Sequence, residues 1–434
     1  MQAFKKGPDY IDPSWLSAAS QSACRSLDPY FIPDPDDLRQ AFLKGVRAAD
    51  LSLIEGNHGL YDSLESDGRG STAAVARSLK APVILVVNSA RTSRSIAAIV
   101  MGCQVFEPET PIAAVILNNV AQGRHEAKLR QAIETHCRIP VVGALPRLEH
   151  ITIPERHLGL VPRGENGSAA PAIEACRDAV EKYVDLEALL QIAAQAPDLG
   201  ARLPNNGQIP AINADPKVSI GVLRDRAFNF YYPENLEALE EAGARLVTID
   251  SLQEAHLPEV QGLYIGGGFP EFFLQELNGN TWLRLEIREA ALDGMPVYAE
   301  CGGLMYLARA IHWGNRQADM VGVLPVEIEM TSQPQGHGYV QAECVRENPF
   351  FALGTVVRGH EFHNSRLIEC GEIPGPVFKL QRGGGYGGSL DGLSLKNVLA
   401  CYTHLHASGA PGWAASLVAR AASWSQAGSR EMVS

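Results

Sequence analysis

The stretch that most constrains this chain is Pro296–Val297–Tyr298–Ala299–Glu300–Cys301–Gly302–Gly303–Leu304–Met305–Tyr306. A short apolar run reads as a buried strand. Cys301 follows, then two glycines, then a helical pattern. A strand-to-helix turn with a nucleophile at its apex is an elbow, and small flanking residues let the backbone turn sharply and hold the side chain in a cleft. The N-terminal N–H groups of such a helix favour thiolate over thiol, and thiolate is the reactive form. The competing reading is a cysteine buried in a core strand, the ordinary fate of that residue. Two other stretches weigh against it. Tyr402–Thr403–His404–Leu405–His406, after a predicted strand at Asn397–Cys401, supplies His404 as a base. Tyr264–Ile265–Gly266–Gly267–Gly268–Phe269–Pro270–Glu271 supplies a glycine turn. The N–H groups of Gly267 and Gly268, with Gly302 at the elbow, are the expected oxyanion donors, although a tight turn alone also explains the glycines.

These three pieces, in this order, resemble a class I glutamine amidotransferase domain. More narrowly, they resemble the cobyrinic acid a,c-diamide synthase family. The match includes the run from Arg224 to Asn235 (RDRAFNFYYPEN), the GGGFPE turn, AECGGLMYL, and Arg358–Gly359–His360–Glu361–Phe362–His363. It continues into the N-terminal half through Gly7–Pro8–Asp9–Tyr10–Ile11–Asp12–Pro13 and Glu55–Gly56–Asn57–His58–Gly59–Leu60–Tyr61–Asp62. It covers nearly the whole chain, and long motifs in fixed order are far more specific than a lone GGG or a lone cysteine.

A length of 434 residues predicts two domains. No apolar run approaches the ~20 residues of a membrane span, and Met1–Lys6 has no apolar signal core, so a cytoplasmic location is expected. Eight cysteines without a CxxC pair indicate neither a zinc ribbon nor a disulfide framework. A net charge of −12 with no lysine/arginine block argues against nucleic acid as the main partner. His337, His360, His363, His404 and His406 raise the question of zinc, but HEFH has i,i+3 spacing and is not HExxH.

From the N-terminus, Met1–Phe4 reads as the middle of a strand, and Gly7–Pro13 as a proline-punctuated loop. Helical spacing covers Asp36–Ala49, and Asp50–Glu55 is an apolar strand ending in an acid, a layout that P-loop enzymes use to hold Mg²⁺ or its waters. Asp9 and Asp12 at a strand end are turn formers or site acids. A helix follows at Thr72–Leu79, then an apolar strand at Ala81–Asn88 of the kind found in central parallel sheets. Arg91 and Arg94 precede the next helix, where they suit a carboxylate or phosphate as well as surface salt bridges. Ile112–Leu117 is a strand, Arg124–His136 a helix, Val141–Leu145 a strand, and Ala170–Ala194 is helical. The alternation implies a doubly wound parallel sheet. Ala196–Lys217 is rich in Pro, Asn and Gly and reads as a linker. The predicted domains are thus 1–195, a linker at 196–217, and 218–434. Phe228, Phe230, Tyr231 and Tyr232 cluster in a loop, as ligand-lining or core aromatics.

The resemblance implies a P-loop-type ATP-dependent amidoligase domain at 1–195 and a class I amidotransferase α/β domain at 218–434. It carries Asp9, Glu55 and Asp62 over as acids of the synthetase site, Glu55 also as a Mg²⁺ ligand through ATP, and Asn118 as a nucleotide contact. In the family the Gly7–Pro13 segment follows a P-loop, and nothing in the chain matches GxxxxGK[ST]. The glycines at 383–388 lack the lysine. The expectation is a chain that starts late, a GTG valine codon having been read as the start; the rival is genuine loss of ATPase function. Many class I amidotransferases carry a glutamate two residues after the histidine, where His406 stands, and this family works as a Cys–His dyad. That leaves open what orients His404; alternation points the Glu300 side chain away from Cys301.

The implied activity is glutamine hydrolysis at Cys301 and His404, with transfer of ammonia to an ATP-activated carboxylate. The expected acceptor is a tetrapyrrole polycarboxylate, cobyrinate or hydrogenobyrinate, amidated at its a and c acetates. The same chemistry on sirohaem or a metallated sirohydrochlorin is the alternative. A glutaminase or tetrapyrrole-binding partner without ligase activity, or a cysteine hydrolase on another amide, is the reading of another class. Glutamine, ATP and Mg²⁺ are the expected small-molecule partners, and a homodimer the candidate assembly.

Overall fold

The computed structural model describes residues 1–47, 49–121, 123–148, 151, 155–156, 159–160, 170–199, 216–369 and 375–431. The chain divides into two compact units, Met1–Asn206 and Gly207–Ser434. Most of the expected linker, residues 200–215, lies outside the described residues.

In the first unit β1 (Gln2–Lys5), α1 (Ile11–Ser20), β2 (Arg25–Ser26), α2 (Pro35–Gly45), β3 (Ser52–Glu55), α3 (Thr72–Ser78), β4 (Val83–Asn88), α4 (Ser95–Phe106), β5 (Ile112–Val120), α5 (Gly123–Cys137) and β6 (Val141–Pro146) alternate. All strand pairing among these is parallel, in two three-stranded sheets ordered β2-β1-β3 and β4-β5-β6. The α/β reading holds, with hydrogen bonding dividing the strands into two sheets of three. Apolar runs build the second sheet's core, where Val87, Val115, Leu117 and Val141 pack with Ile96, Val100, Leu129 and Ile133 of the helices. Among the described residues neither β3 nor β4 has a strand partner on its outer edge, and each leaves one large apolar side chain in solvent, Leu53 at 53% and Val86 at 61% exposure.

Two local readings differ. The segment read as a loop through Pro13 turns helical at Ile11, because a proline in the first helical turn gives up an N–H that would be unbonded anyway. The Asp9 carboxylate accepts from Ile11 N at 2.8 Å just ahead of it. The single helix predicted over 170–194 is two, Ala170–Tyr183 and Leu186–Ala194, broken where Asp185 caps the second by accepting from Ala188 N. Two other helix starts fall where small polar residues stand: Asp34 accepts from Asp36 N and Asp37 N, with Pro35 first in the helix, and Ser71 accepts from Ala74 N.

The second unit is built on a six-stranded sheet. Its order is Ala244–Ile249, Val218–Leu223, Gly262–Ile265, Val297–Glu300, Val398–Cys401, Leu393–Leu395, the first five parallel and the last antiparallel. The middle strands are buried on both faces, which is why they read as unbroken apolar runs. The nucleophile strand Val297–Glu300 lies between the strand leading into the glycine turn and the strand leading to His404, so three distant sequence motifs reach one end of the sheet. Among the described residues no helix is long and apolar enough to cross a membrane.

Candidate active site

Glu300 pairs with Cys401 in the parallel ladder, and Cys301 N donates to Cys401 O at 2.7 Å. The chain then breaks direction. Cys301 has φ 47° and ψ −100°, a backbone conformation that a residue with a Cβ rarely holds without support. A short, wholly buried helix, Gly302–Leu307, starts at the next residue. Cys301 itself is 4% exposed.

The support is the absence of side chains around it. A Cβ on Gly303 would stand 2.3 Å from Ile265 O, and one on Gly302 3.0 Å from Gly268 N. Gly268 has φ +155°, and a Cβ there would stand 2.0 Å from Ala227 O. Elbow and glycine turn therefore interlock backbone to backbone. Tyr231 fixes the turn from beneath: its hydroxyl accepts from Gly266 N at 2.8 Å and donates to Leu223 O. Asp225 ties the preceding loop, accepting from Ala227 N, Phe228 N and both Ser251 N and Oγ. The aromatic cluster is thus packing for the site.

His404 is buried against this turn, since a Cβ on Gly267 would lie 2.3 Å from its Cε1. Phe230 meets its ring edge-on at 6.3 Å, and His360 stacks on it at 5.0 Å. The segment carrying it is clamped by Asp391, fully buried, which accepts from Gly392 N, Tyr402 N, Thr403 N and Thr403 Oγ1 at 2.6–2.9 Å. His406 turns elsewhere: its Nδ1 accepts from Ser408 N at 3.2 Å and its Nε2 lies 3.8 Å from Glu234. The structure therefore sets Gly302, next to Cys301, against Gly268, and His404 against Gly267.

The electrostatics alter one expectation. Burial, followed by the charge of Glu271, pushes the Cys301 thiol well above the ordinary range, outweighing the Gly302 N–H that favours thiolate. The resting sulfur is a thiol, and its proton must leave to a base. Burial holds His360 neutral. Among the described residues no group of three or more His, Cys, Asp or Glu could hold a metal ion. A cleft of about 360 Å³ between Gln335–Tyr339 and Arg382–Gly384 does not include Cys301 or His404 in its lining.

In the first unit, parallel register sets Lys5 beside Glu55. The buried Lys5 ammonium donates to Asp12 at 2.8 Å and lies 3.2 Å from Glu55 and 4.0 Å from Asp9. Burial works against its charge, yet Asp12, Glu55 and Asp9 hold it above the ordinary lysine value. Burial, then Asp12, pushes the Asp9 carboxyl up to about 6. Sequence reasoning missed Lys5, because only strand register shows that it faces an acid. Asp62 stands apart, exposed and accepting from Gly59 N at 2.8 Å within its own turn. Asn118 lies two residues before the end of β5, paired with Asn88 at the end of β4, its side-chain oxygen accepting from Asn119 N at 2.9 Å. Arg91 and Arg94 are exposed. Mg²⁺ favours one or two carboxylates plus substrate phosphate and water, and the hard, partly exposed oxygens of Glu55 and Asp9 fit that pattern.

Known proteins resemble this chain along its length. The family of CobB/CobQ-like glutamine amidotransferase domains matches residues 219–411, and an AAA domain family matches 34–155. A cobyrinate a,c-diamide synthase of Magnetococcus marinus is 43% identical over 419 residues, 95% of this chain and 89% of that one. One from Methanothermobacter thermautotrophicus is 41% identical over 97% of this chain and 93% of its own length. A third, from Archaeoglobus fulgidus, is 39% identical over 94% and 87%.

Proposed function

Because the chain belongs to the cobyrinate a,c-diamide synthase family, we propose that it amidates the a and c acetate carboxylates of cobyrinate, drawing nitrogen from glutamine and energy from ATP. The observation that carries this reading is the interlocked elbow, glycine turn and His404 in a chain matched by such synthases over nearly its whole length. Hydrogenobyrinate differs from cobyrinate by its metal and stays within the reading. The relatives' names favour cobyrinate over sirohaem.

The amidotransferase chemistry is assigned to the elbow, the glycine turn and His404. His404 takes the thiol proton as Cys301 Sγ attacks the glutamine amide carbon. The N–H groups of Gly267, Gly268 and Gly302 are the oxyanion donors in this reading, supported by the close approach of Gly302 to Gly268, where a Cβ on Gly302 would stand 3.0 Å from Gly268 N. His404 returns the proton to the leaving ammonia, and water then cleaves the thioester to glutamate. A thiol that stays protonated until substrate and base align suits a buried site.

We assign residues 1–195 to the amidoligase and 218–434 to the amidotransferase, joined by 196–217. In the first, the acceptor carboxylate takes the γ-phosphoryl group of ATP, and ammonia displaces phosphate to give the amide. Asp9, Glu55 and Asp62 are the synthetase acids and Asn118 the nucleotide contact in this reading. Mg²⁺ bound with ATP would neutralise phosphate charge, and Glu55 with Asp9 would hold it. Lys5 keeps those carboxylates from repelling one another. A cytoplasmic homodimer completes the reading.

The test is phosphate release from ATP by the purified chain with glutamine and cobyrinate, hydrogenobyrinate or sirohaem, with amides counted by mass spectrometry. Two amides on cobyrinate at the expense of ATP is the expected result. Glutamine hydrolysis without ATP turnover on any acceptor would overturn the ligase and leave a glutaminase.

A further inference from the structure

Glu300 closes the nucleophile strand and is fully buried. Its Oε2 lies 3.6 Å from His404 Nδ1, and its Oε1 accepts from Leu405 N at 3.2 Å. The Tyr264 hydroxyl donates to Oε2 at 3.4 Å. Asn235 in turn donates to Tyr264 Oη at 3.1 Å and to Leu405 O at 2.9 Å, and accepts from Ala407 N at 2.7 Å. The Asn235 amide hydrogen occupies the hydroxyl oxygen, so the Tyr264 proton is left to point at the carboxylate. Asn235, Tyr264 and Glu300 therefore hold one another and, at Leu405 and Ala407, the backbone on either side of His406.

The alignment of charge points the same way. Burial raises the Glu300 carboxyl, and the neighbouring His404 ring pulls it back. Tyr264 and Leu405 offer only neutral donors, so the buried carboxylate gains a full counter-charge when His404 becomes imidazolium. That is the moment at which the Cys301 proton has been taken. His360, stacked on the other face of the ring, is neutral and does not compete.

On the reading that Cys301 and His404 hydrolyse glutamine, we propose that Glu300 is the positioning carboxylate of that pair. It holds the His404 Nδ1–H tautomer, frees Nε2 to act as base, and stabilises the imidazolium. The acid thus precedes the nucleophile by one residue instead of following the base by two, where His406 stands. The strand places Glu300 beside the ring, and the reversed backbone at Cys301 lets adjacent residues take different directions. The 3.6 Å separation is that of a resting site, and such contacts tighten when substrate binds.

The experiment compares the full-length wild type with Glu300→Gln, Glu300→Asp and Cys301→Ala. Glutamine hydrolysis is followed by glutamate release, and ¹⁵N-histidine labelling reports the His404 tautomer, assigned with His404→Asn. E300Q keeps the shape and an acceptor for Leu405 N but loses the charge, and its NH2 group faces Tyr264 and His404 as a donor where Oε2 was an acceptor. It is expected to lower kcat about 10²- to 10⁴-fold with KM for glutamine within about twofold, the scale of general-base assistance. E300D is expected to recover part of that loss. Wild-type His404 is expected to carry its proton on Nδ1, and E300Q to shift toward the Nε2–H form. E300Q activity within about threefold of wild type, with C301A inactive, would overturn the role of Glu300 and leave the amidotransferase reading standing. An active C301A would overturn the reading itself. The tautomer still decides the role of Glu300 in that case, and in the case that E300Q does not fold. A wild-type His404 protonated on Nε2 overturns it.

Discussion

At the scale of single residues, two carboxylates, one buried and one partly exposed, each make a prediction. Asp391 satisfies four donors around the His404 segment. Asp391→Ala strands them in a dry core and is expected to lower stability by about 3 kcal/mol or more, read by urea unfolding, with loss of glutamine hydrolysis. An unchanged unfolding midpoint would remove Asp391 from this account. Asp9 makes a different case. Its carboxyl is raised from 3.8 to about 6, so between those values the folded chain holds a proton that the unfolded chain has released. The contribution is fully present below about pH 4 and disappears as pH rises through about 6, by at most about 3 kcal/mol. Asp9→Asn should flatten the slope of stability against pH in that window. An identical slope in wild type and variant would show that another group carries it.

At the scale of elements, the interlock between the elbow helix and the glycine turn separates architecture from chemistry. Gly303→Ala puts a methyl 2.3 Å from Ile265 O, a carbonyl inside a central strand, and is expected to cost about 2–3 kcal/mol of stability. Gly302→Ala meets Gly268 N at 3.0 Å and Pro270 Cδ at 3.1 Å, a milder crowding that opens the space between two of the oxyanion donors. Its expected signature is a roughly 10²-fold lower kcat for glutamine with stability changed by less than about 1 kcal/mol. Equal damage to both properties in both variants would argue against that division. These elements were legible because their signals are local: apolar run, cysteine and glycines in one elbow, three glycines in one turn, a histidine just past a strand. Lys5, Glu300 and Asp391 were not legible in the same way. Lys5 meets Glu55 through strand register, and Glu300 meets Leu405 across 105 positions, distances over which spacing carries no information. The break at Asp185 was lost because the apolar pattern continues through it and only the cap marks it. The thiol state failed for a related reason: the sequence shows a helix after Cys301 but not that the sulfur is covered.

At the scale of the molecule, the proposed reaction is divided between the two units. If ammonia is all that passes between their chemistries, Cys301→Ala should abolish glutamine-dependent amidation of cobyrinate and an ammonium salt should restore it, measured as product amides per ATP consumed. Failure of ammonium to substitute would mean that the sulfur has a part beyond releasing nitrogen. A last consequence lies in the first unit, where among the described residues β3 and β4 each have an edge without a strand partner, with Leu53 and Val86 exposed. A free strand edge is a row of unused donors and acceptors ready to join any extended chain, including another copy of the same protein. The behaviour to expect in solution is slow, concentration-dependent self-association through that unit, relieved by Leu53→Lys and Val86→Lys. On that expectation, colloidal shelf life would be set by two four- to six-residue strands far in sequence from the cysteine.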